Sequence, residues 1–150
     1  MNKVDLKLDW CSHEAAKYAV EKWHYSQVMP AGKIVKIGVW EDGQFIGCVL
    51  FSRGAKNNIG KSYQLKQTEI CELTRIALYK HQTPVSRIAS IAIKLLIKQS
   101  VGMRMILSYA DPAHSHVGSI YQAMNWVYVG MTDMWSSSHY LINGKPVHGR

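Results

Sequence analysis

The sequence predicts an α+β fold in which a mixed, mostly antiparallel central sheet is flanked by helices. Three observations carry this prediction: the elements follow the order β-α-β-β-β-α-β-α-β-β, a strong hairpin signal stands at Asp42-Gly43, and helical stretches carry apolar residues on one face. A central antiparallel meander joined to βαβ crossovers gives an α+β or α/β sheet covered by helices. With 150 residues, 47% of them hydrophobic, the chain predicts one cored domain over residues 1–150.

The first half of the chain begins with a strand, since residues 1–7 alternate between polar and apolar. Ser12 can cap a helix that ends near Tyr25-Ser26, before the helix breakers Pro30 and Gly32. The apolar positions of that helix are Ala15, Tyr18, Ala19 and Trp23. Residues 33–41 and 45–51 then predict two strands joined by a hairpin at Asp42-Gly43.

The second half begins with a polar stretch, residues 54–68, which predicts a long loop of the kind usually kept for binding. Residues 70–79 predict a strand, and after Pro84 a helix has the clearest apolar periodicity in the chain, at Ile88, Ile91, Ala92, Leu95 and Leu96. Gly102 ends that helix, and residues 104–109 form another strand. A last helix carries Val117, Ile120, Tyr121 and Met124, and the remainder is β with a hairpin turn at Asn143-Gly144.

The charge balance favours a polyanionic partner. Lys and Arg number 18 against 10 Asp and Glu, which gives a net charge of +8. Such an excess of positive charge suits binding to nucleic acid or to a phosphorylated cofactor. A basic surface that only contacts solvent explains the charge equally well. The interspersed charge excludes a membrane span, and the opening residues lack a signal-peptide pattern, so we expect a cytoplasmic protein with no membrane partner.

The cysteines predict neither a disulfide framework nor a zinc site. Cys11, Cys48 and Cys71 are odd in number, far apart and set among apolar residues, without the CxxC or Cys/His spacing of zinc ligands. We expect buried thiols.

The junction of residues 79–90 joins a strand to the most periodic helix and is a candidate anion site. Backbone N–H groups, the positive end of the helix dipole and a guanidinium would converge there on a pyrophosphate. The candidate residues are Val85, Ser86, Arg87, Ile88 and Ala89. A helix simply capped by serine is the alternative, and the turn has no glycine to let a phosphate approach the backbone closely.

The string Asp111-Pro112-Ala113-His114-Ser115-His116 follows a strand, where sites of open sheets are built. Asp111 is therefore a candidate base. With His24 or Tyr25, the Asp-x-x-His-x-His spacing could alternatively hold a non-haem metal, and an Asp-Pro turn with exposed histidines is the commoner explanation.

Two further features point to anions. Arg75 lies within a strand beside Leu73 and Ala77, so its charge needs an anionic partner: Glu72, Asp111 or a cofactor phosphate. Aromatic residues interleave with lysines, which suits phosphate contact and stacking on an extruded base. We expect most of these aromatics in the core and only Tyr25 or Tyr63 facing DNA; the candidate DNA-binding residues of the polar loop are Lys56, Lys61, Tyr63 and Lys66.

Several ordered blocks resemble one family. They are Trp23-His24-Tyr25-Ser26, Glu72-Leu73-Thr74-Arg75, Ser86-Arg87-Ile88-Ala89-Ser90, Ser108-Tyr109-Ala110-Asp111 and the run from His116 to Ala123. Together they resemble the Mom family of phage DNA-modification proteins, over roughly residues 10–132, and the element order resembles the GNAT acyltransferase superfamily. The usual pyrophosphate signature of that superfamily, Gln/Arg-x-x-Gly-x-Gly/Ala, is missing from this chain.

The resemblance implies a GNAT-like catalytic domain that converts adenine in DNA to N6-carbamoylmethyladenine and so protects a phage genome from host restriction. It implies catalytic roles for Asp111 as base and Tyr121 as proton donor to the leaving group, with His24 and Tyr25 orienting the adenine. It implies a coenzyme A-type donor such as acetyl-CoA, bound by Arg75 and by residues 85–89, and double-stranded DNA with a flipped adenine as partner. Iron or another divalent metal is a candidate cofactor, and a homodimer is left open.

Two alternatives stay open. An ordinary GNAT N-acetyltransferase acting on a protein or small amine would bind an acyl donor without DNA. A non-catalytic DNA-binding protein would bind DNA with strong salt sensitivity and leave adenine unmodified. The carbamoylmethyl group also carries a nitrogen that an acetyl group lacks, so a further step or another donor is required.

Overall fold

The computed structural model describes residues 3–53, 59–110, 126–131 and 138–141. It is a mixed α+β structure with a mostly antiparallel sheet and flanking helices, which confirms the predicted fold class. The described residues divide into two compact units, one running up to Ser52 and including Thr74–Val101, the other made of Arg53–Leu73 and the described residues from Gly102 onward. One domain over residues 1–150 stays a prediction.

The first unit begins with an antiparallel three-stranded arrangement. Strand β1 (Leu6–Trp10) pairs with β2 (Ile34–Glu41), in a ladder that joins Leu6 to Glu41. Strand β2 pairs with β3 (Gln44–Ser52), in a ladder that joins Val35 to Phe51. The elements of this unit are β1 (Leu6–Trp10), α1 (His13–Trp23), β2 (Ile34–Glu41), β3 (Gln44–Ser52), the later part of β4 (Ile70–Leu78) and α2 (Val85–Gln99).

The hairpin between β2 and β3 turns at the predicted dipeptide. Asp42 and Gly43 both have positive φ, +51° and +79°. Two consecutive residues with positive φ are typical of a type I′ turn, whose twist matches that of the flanking strands. Asp42-Gly43 is therefore confirmed as the hairpin turn.

Helix α1 begins as the sequence predicts and ends earlier. The Ser12 side chain accepts a hydrogen bond from the Ala15 N–H, at 3.1 Å. The helix ends at Trp23 rather than near Tyr25-Ser26, because His24 takes an extended conformation (φ −101°, ψ 141°). The segment that carries His24 and Tyr25 is therefore outside the helix.

The core of the first unit lies on the two faces of its strands. Helix α1 buries Ala16, Ala19 and Val20 in a cluster with Cys48, Leu50 and Ala77. Ile37, Val49 and Phe51 are also buried and, because side chains alternate along a strand, point to the opposite face from Cys48 and Leu50. Helix α2 contacts β1 and β2 and buries Ile88, Ala92 and Leu96.

In the second unit, the start of β4 pairs in parallel with β5 (Met105–Ala110), from Ile70↔Met105 to Leu73↔Ser108. Strand β5 pairs antiparallel with β7 (Ser138–Leu141), which pairs with β6 (Val127–Met131). The described part of the predicted loop holds two short 3-10 turns, Lys61–Tyr63 and Gln67–Glu69. The predicted last helix and the turn at Asn143-Gly144 lie outside the described residues.

The prediction of buried thiols is confirmed for Cys48 and Cys71 but not for Cys11. Cys48 and Cys71 are buried and Cys11 is partly buried, and all three are free. Burial raises the pKa of Cys48 and of Cys71 to about 12. None of the described helices is long and apolar enough to cross a membrane.

Candidate functional site

The loop between β4 and α2 is the candidate anion site. Helix α2 begins at Val85 and its N-cap is Pro84, without a side-chain cap, so the alternative of a serine-capped helix is wrong. The N–H groups of Arg87 and Ile88 both donate to the Pro84 carbonyl, at 3.1 and 3.2 Å. Within the described part of the chain, no acceptor is found for the N–H groups of Val85 and Ser86. These two amides, with the exposed Arg87, form the part of the predicted site that can meet an anion.

The residues before Pro84 are held by a carboxylate that sequence reasoning missed. Glu41, the last residue of β2, accepts hydrogen bonds from the N–H groups of Gln82, at 2.9 and 3.0 Å to its two oxygens, and of Thr83, at 2.7 Å. The Thr83 hydroxyl donates to the same carboxylate at 2.6 Å. Glu41 is only 6% exposed and Thr83 only 7%. Nothing in the local sequence indicates a bond between residues 42 positions apart.

The hydrogen bonds outweigh the cost of burying this charge. Burial by itself would raise the pKa of Glu41, but the Thr83 hydroxyl, the N–H groups of Gln82 and Thr83 and the nearby His81 together lower that pKa below its ordinary value of 4.5. The carboxylate therefore stays ionised inside the protein at neutral pH, as an anion solvated by the loop.

The free energy of unfolding should therefore depend on pH through Glu41. Because the folded pKa is the lower one, this contribution is fully present above about 4.5, the unfolded value, and is lost as the pH falls through the folded pKa. Urea unfolding of the parent and of Glu41→Gln between about pH 3 and 7, the range in which carboxylates titrate, should show the stability difference shrinking on acidification. A pH-independent difference would contradict the ionised carboxylate.

Arg75 does not have the predicted anionic partner among the described residues. Its Nε donates to the Val28 carbonyl at 3.1 Å, and its Nη1 donates to the Thr74 carbonyl at 2.9 Å. Both acceptors are neutral backbone groups, and binding of Arg75 to Asp111 or to a cofactor phosphate stays a prediction. Arg75 instead ties the segment after α1 to β4.

The rings of His24 and Tyr25 contact each other on that segment, tilted by 30°. The His24 ring is 8% exposed, Tyr25 is 48% exposed, and their ring centroids are 4.3 Å apart. The Ser26 N–H donates to His24 Nδ1 at 3.1 Å, and the Ser26 hydroxyl lies 2.7 Å from the same nitrogen. An Nδ1 that accepts a hydrogen bond leaves the proton of the neutral ring on Nε2. The pair thus offers an exposed phenol ring on an oriented imidazole.

A second aromatic group, formed by Trp23 and Tyr79, lies at the start of the loop between β4 and α2. Trp23 stacks on Tyr79 with ring centroids 5.1 Å apart, and the Lys80 ammonium lies 5.1 Å from the Tyr79 ring centre. Tyr79 is 45% exposed and so lies outside the core, while the expectation that only Tyr25 or Tyr63 faces DNA stays a prediction. Tyr63 is partly buried, and that burial raises its pKa.

The described part of the polar loop is basic and lines an open cavity together with residues on either side of it. Lys61 and Lys66 are exposed, as a DNA-binding role requires. A cavity of about 340 Å³ is lined by basic, amide and apolar groups: Arg53, Ile59, Gly60, Lys61, Gln64, Leu65, Gln67 and Ile70. Arg53 donates to the Gln67 side chain at 3.3 Å. Cationic and amide groups at one opening suit a phosphate-bearing ligand.

Some predicted site residues lie outside the described residues. These are the candidate base Asp111, the candidate proton donor Tyr121, the histidines His114 and His116, and the DNA-binding candidate Lys56. Within the part that is described, no group of three His, Cys, Asp or Glu side chains could hold a metal ion. The catalytic roles of Asp111 and Tyr121 and the metal site stay predictions.

Comparison with known proteins gives a family and a fold. The Mom protein family matches residues 5–150. The methylcarbamoylase Mom of Escherichia phage Mu is 23% identical over 148 residues, which are 96% of this chain but 60% of that protein, so the chain spans about three fifths of its relative.

Solved acyltransferases share the fold at low identity. The N-acyl amino acid synthase FeeM from uncultured soil microbes has a TM-score of 0.65 and 10% identity, with 93% of this chain and 90% of that chain covered. The PaiA N-acetyltransferase of Thermoplasma acidophilum, solved with coenzyme A, has a TM-score of 0.57 and 17% identity, with 91% and 98% covered. These likenesses show the acyltransferase fold alone.

Proposed function

The chain belongs to the Mom protein family, and on that premise we propose that it converts adenine in phage DNA to N6-carbamoylmethyladenine. The observation that carries the proposal is the family match over residues 5–150, which includes the anion-binding loop, the His24-Tyr25 pair and the Asp111 segment. The modified base would protect the phage genome from restriction enzymes in the host cytoplasm.

The substrate is double-stranded DNA with one adenine extruded. In a duplex N6 is paired and closed in by stacked neighbours, so the base must leave the stack before its amine can react. The exposed Tyr25 ring offers a surface on which the adenine can stack. The buried His24 ring contacts the Tyr25 ring and supports its orientation. Lys61 and Lys66, with Lys56 and Tyr63, would contact the phosphates and sugars of the DNA.

The donor is a coenzyme A-type molecule, with acetyl-CoA or a related acyl donor as the candidate. Support comes from the loop before α2, where the amides of Val85 and Ser86 and the Arg87 guanidinium can bind a pyrophosphate. Ile88 and Ala89 are buried, and the Ile88 N–H already donates to the Pro84 carbonyl, so their part in this proposal is to continue the helix behind these donors. Arg75 is a further candidate contact to the donor phosphates, and its Nε also ties Val28, which follows the His24-Tyr25 segment, to β4.

Asp111 and Tyr121 divide the proton transfers. Asp111 accepts the proton that N6 releases when it attacks the donor, and Tyr121 gives a proton to the leaving group. Simple acyl transfer cannot supply the carbamoylmethyl nitrogen, so that atom comes from a further step or from another activated donor. No three His, Cys, Asp or Glu side chains among the described residues are grouped so that they could hold a metal ion, and iron or another divalent metal stays a candidate cofactor.

Mass spectrometry of nucleosides from cells that express the protein tests the proposal. We expect a new adenine nucleoside with the mass of N6-carbamoylmethyladenine, absent from cells that express Asp111→Asn. An N6-acetyladenine product would identify the donor class and contradict the carbamoylmethyl assignment. Unmodified adenine, with DNA binding intact, would instead support the non-catalytic alternative.

A second candidate function is N-acetylation of a protein or a small amine. The specific observation that favours it is the similarity of fold to an N-acetyltransferase solved with coenzyme A. Donor binding without measurable DNA binding would favour this candidate over DNA modification.

DNA binding should depend steeply on salt. The net charge is +8, and the exposed lysines of the polar loop can each neutralise a phosphate. Counterion release then predicts a linear fall of log K with log salt, with a slope that drops by about one when one phosphate contact is lost. Binding of a labelled duplex should show the smaller slope in Lys61→Ala and Lys66→Ala, and the parent slope in Lys98→Ala, an exposed lysine in the last turn of α2. A flat response would remove nucleic acid as a partner.

Arg87→Ala should weaken donor binding and spare the fold. Arg87 is exposed in the first turn of α2, and charge-assisted hydrogen bonds to a pyrophosphate contribute on the order of 1.5–3 kcal/mol. Calorimetry with coenzyme A should therefore show a loss of roughly tenfold or more. Lys94→Ala, which removes an exposed cation from the same helix, is the matched control. Equal affinities for the parent and Arg87→Ala would show that the loop assignment is wrong.

A further inference from the structure

All three polar groups of Thr83, its N–H, its hydroxyl and its carbonyl oxygen, are hydrogen-bonded. Its N–H and its hydroxyl donate to Glu41, at 2.7 and 2.6 Å, and its carbonyl oxygen lies 2.7 Å from Nδ1 of His81, which donates to it. With the Gln82 N–H, three donors of the loop converge on one buried carboxylate. The residue before Pro84 is thus held from both sides, although it belongs to a loop.

This arrangement decides what the loop can offer to a ligand. The N–H groups of Gln82 and Thr83 are already taken by Glu41, and Pro84 has no N–H. The remaining donors are the amides of Val85 and Ser86 and the side chain of Arg87. Because Thr83 is fixed, Pro84 is fixed too, and its carbonyl accepts from Arg87 and Ile88 at the start of α2.

Glycine normally gives such a loop the freedom to fold around a phosphate, and here the loop has none. A loop without glycine has to be held in its shape by contacts from elsewhere. The contact that the structure provides is a buried carboxylate from the end of β2, 42 positions away from Thr83.

We infer that Glu41 is a positioning residue for the donor: it holds residues 82–84 so that the Val85 and Ser86 amides and Arg87 meet the pyrophosphate of a coenzyme A-type molecule. The inference rests on the proposed function for the class of donor. Glu41 itself does not touch the donor in this arrangement, because its oxygens are occupied by Gln82 and Thr83.

The affinity for coenzyme A distinguishes a positioning role of the Glu41 carboxylate from a purely stabilising role. A carboxylate that only stabilises the fold would change the melting temperature and leave the affinity of the folded protein for coenzyme A unchanged. A positioning carboxylate changes the fraction of folded molecules whose loop is ready to bind. If that fraction falls to about one tenth, the apparent affinity falls about tenfold.

Calorimetric titration with coenzyme A, well below the melting temperature of each variant, tests this. We expect Glu41→Gln to bind about tenfold more weakly, because the neutral amide has lost the charge and turns an N–H₂ group toward donors. Thr83→Val, which loses only the hydroxyl bond, should bind roughly threefold more weakly, and Thr83→Ser, which keeps it, should stay within about twofold of the parent. Glu21→Gln removes an exposed carboxylate from α1 and controls for the change in charge.

Amide hydrogen exchange supplies the second measurement. The N–H groups of Gln82 and Thr83 should exchange faster in Glu41→Gln, while those of β2 and β3 keep the protection of the parent. If Glu41→Gln does not fold, the Thr83→Val and Thr83→Ser pair decides the question.

The outcomes are distinguishable. Parent affinity in Thr83→Val and Glu41→Gln overturns the inference and leaves the proposed function standing. Absence of coenzyme A binding by the parent overturns the inference together with the coenzyme A-type donor of the proposed function, whereas the nucleoside analysis tests adenine modification separately. Weakened binding in Thr83→Val, restored in Thr83→Ser and accompanied by unchanged DNA affinity, supports the inference.

Discussion

Gly47→Ala is expected to prevent stable folding. Gly47 lies in β3 with φ +147°, and a Cβ placed there would be 1.9 Å from the Ala77 carbonyl oxygen and 2.9 Å from the Leu78 Cα. Those atoms belong to the backbone of β4, which cannot turn aside as a flexible side chain can. The two strands would have to separate beside the Tyr79 N–H, which donates to the Ile46 carbonyl at 2.9 Å.

The loss should exceed about 4 kcal/mol of unfolding free energy, a large share of the roughly 5–15 kcal/mol that stabilises a typical domain. Urea unfolding followed by circular dichroism measures it, and soluble yield reports the same loss. Gly43→Ala is the matched control: Gly43 also has positive φ, +79°, but no atom lies within 4 Å of its Cβ position. That change should cost only about 1 kcal/mol. Similar stabilities for the two variants would contradict the close approach of β3 to β4.

Asp111→Asn and Tyr121→Phe are expected to reduce adenine modification by roughly 10²–10⁴-fold each, the usual range for a positioned acid or base. Each change keeps the volume of the side chain and removes only a charge or a hydroxyl. A reduced turnover with a small shift in melting temperature therefore reports chemistry rather than folding. The measurement is the rate at which a plasmid gains the modified nucleoside.

The same variants test the simpler explanations of both residues. If Asp111 only begins an Asp-Pro turn, asparagine supports the same local hydrogen bond and modification continues. If Tyr121 is a core residue, phenylalanine fills its space and activity stays close to that of the parent. Folded variants that bind DNA and modify adenine normally would remove both catalytic assignments without touching family membership.

Local signals in the sequence account for the elements of this fold. The Ser12 cap, the Asp42-Gly43 turn and the apolar periodicity after Pro84 each depend on residues within a few positions of one another, and the structure confirms all three. The predicted end of α1 is two or three residues too late, because the first helix breaker in the sequence is Pro30, whereas His24 already takes an extended conformation.

Contacts between distant residues could not be predicted in this way. Arg75 looked like a charge in need of an anion, and the carbonyl of Val28, 47 positions away, accepts its hydrogen bond instead. In the sequence, Glu41 is only the last residue of the predicted strand 33–41. Only the packing of β2 against the loop shows that the Glu41 carboxylate takes the place of water around the N–H groups of Gln82 and Thr83.

The chemistry of the thiols makes site-selective labelling practical. Reagents such as maleimides react with the thiolate, and burial keeps Cys48 and Cys71 protonated at neutral pH, with Cys11 shifted in the same direction. A cysteine introduced at an exposed position, as in Lys66→Cys, would therefore be far more reactive than the native thiols. A fluorophore attached there would report on the polar loop as DNA arrives, without first replacing cysteines that the core needs for packing.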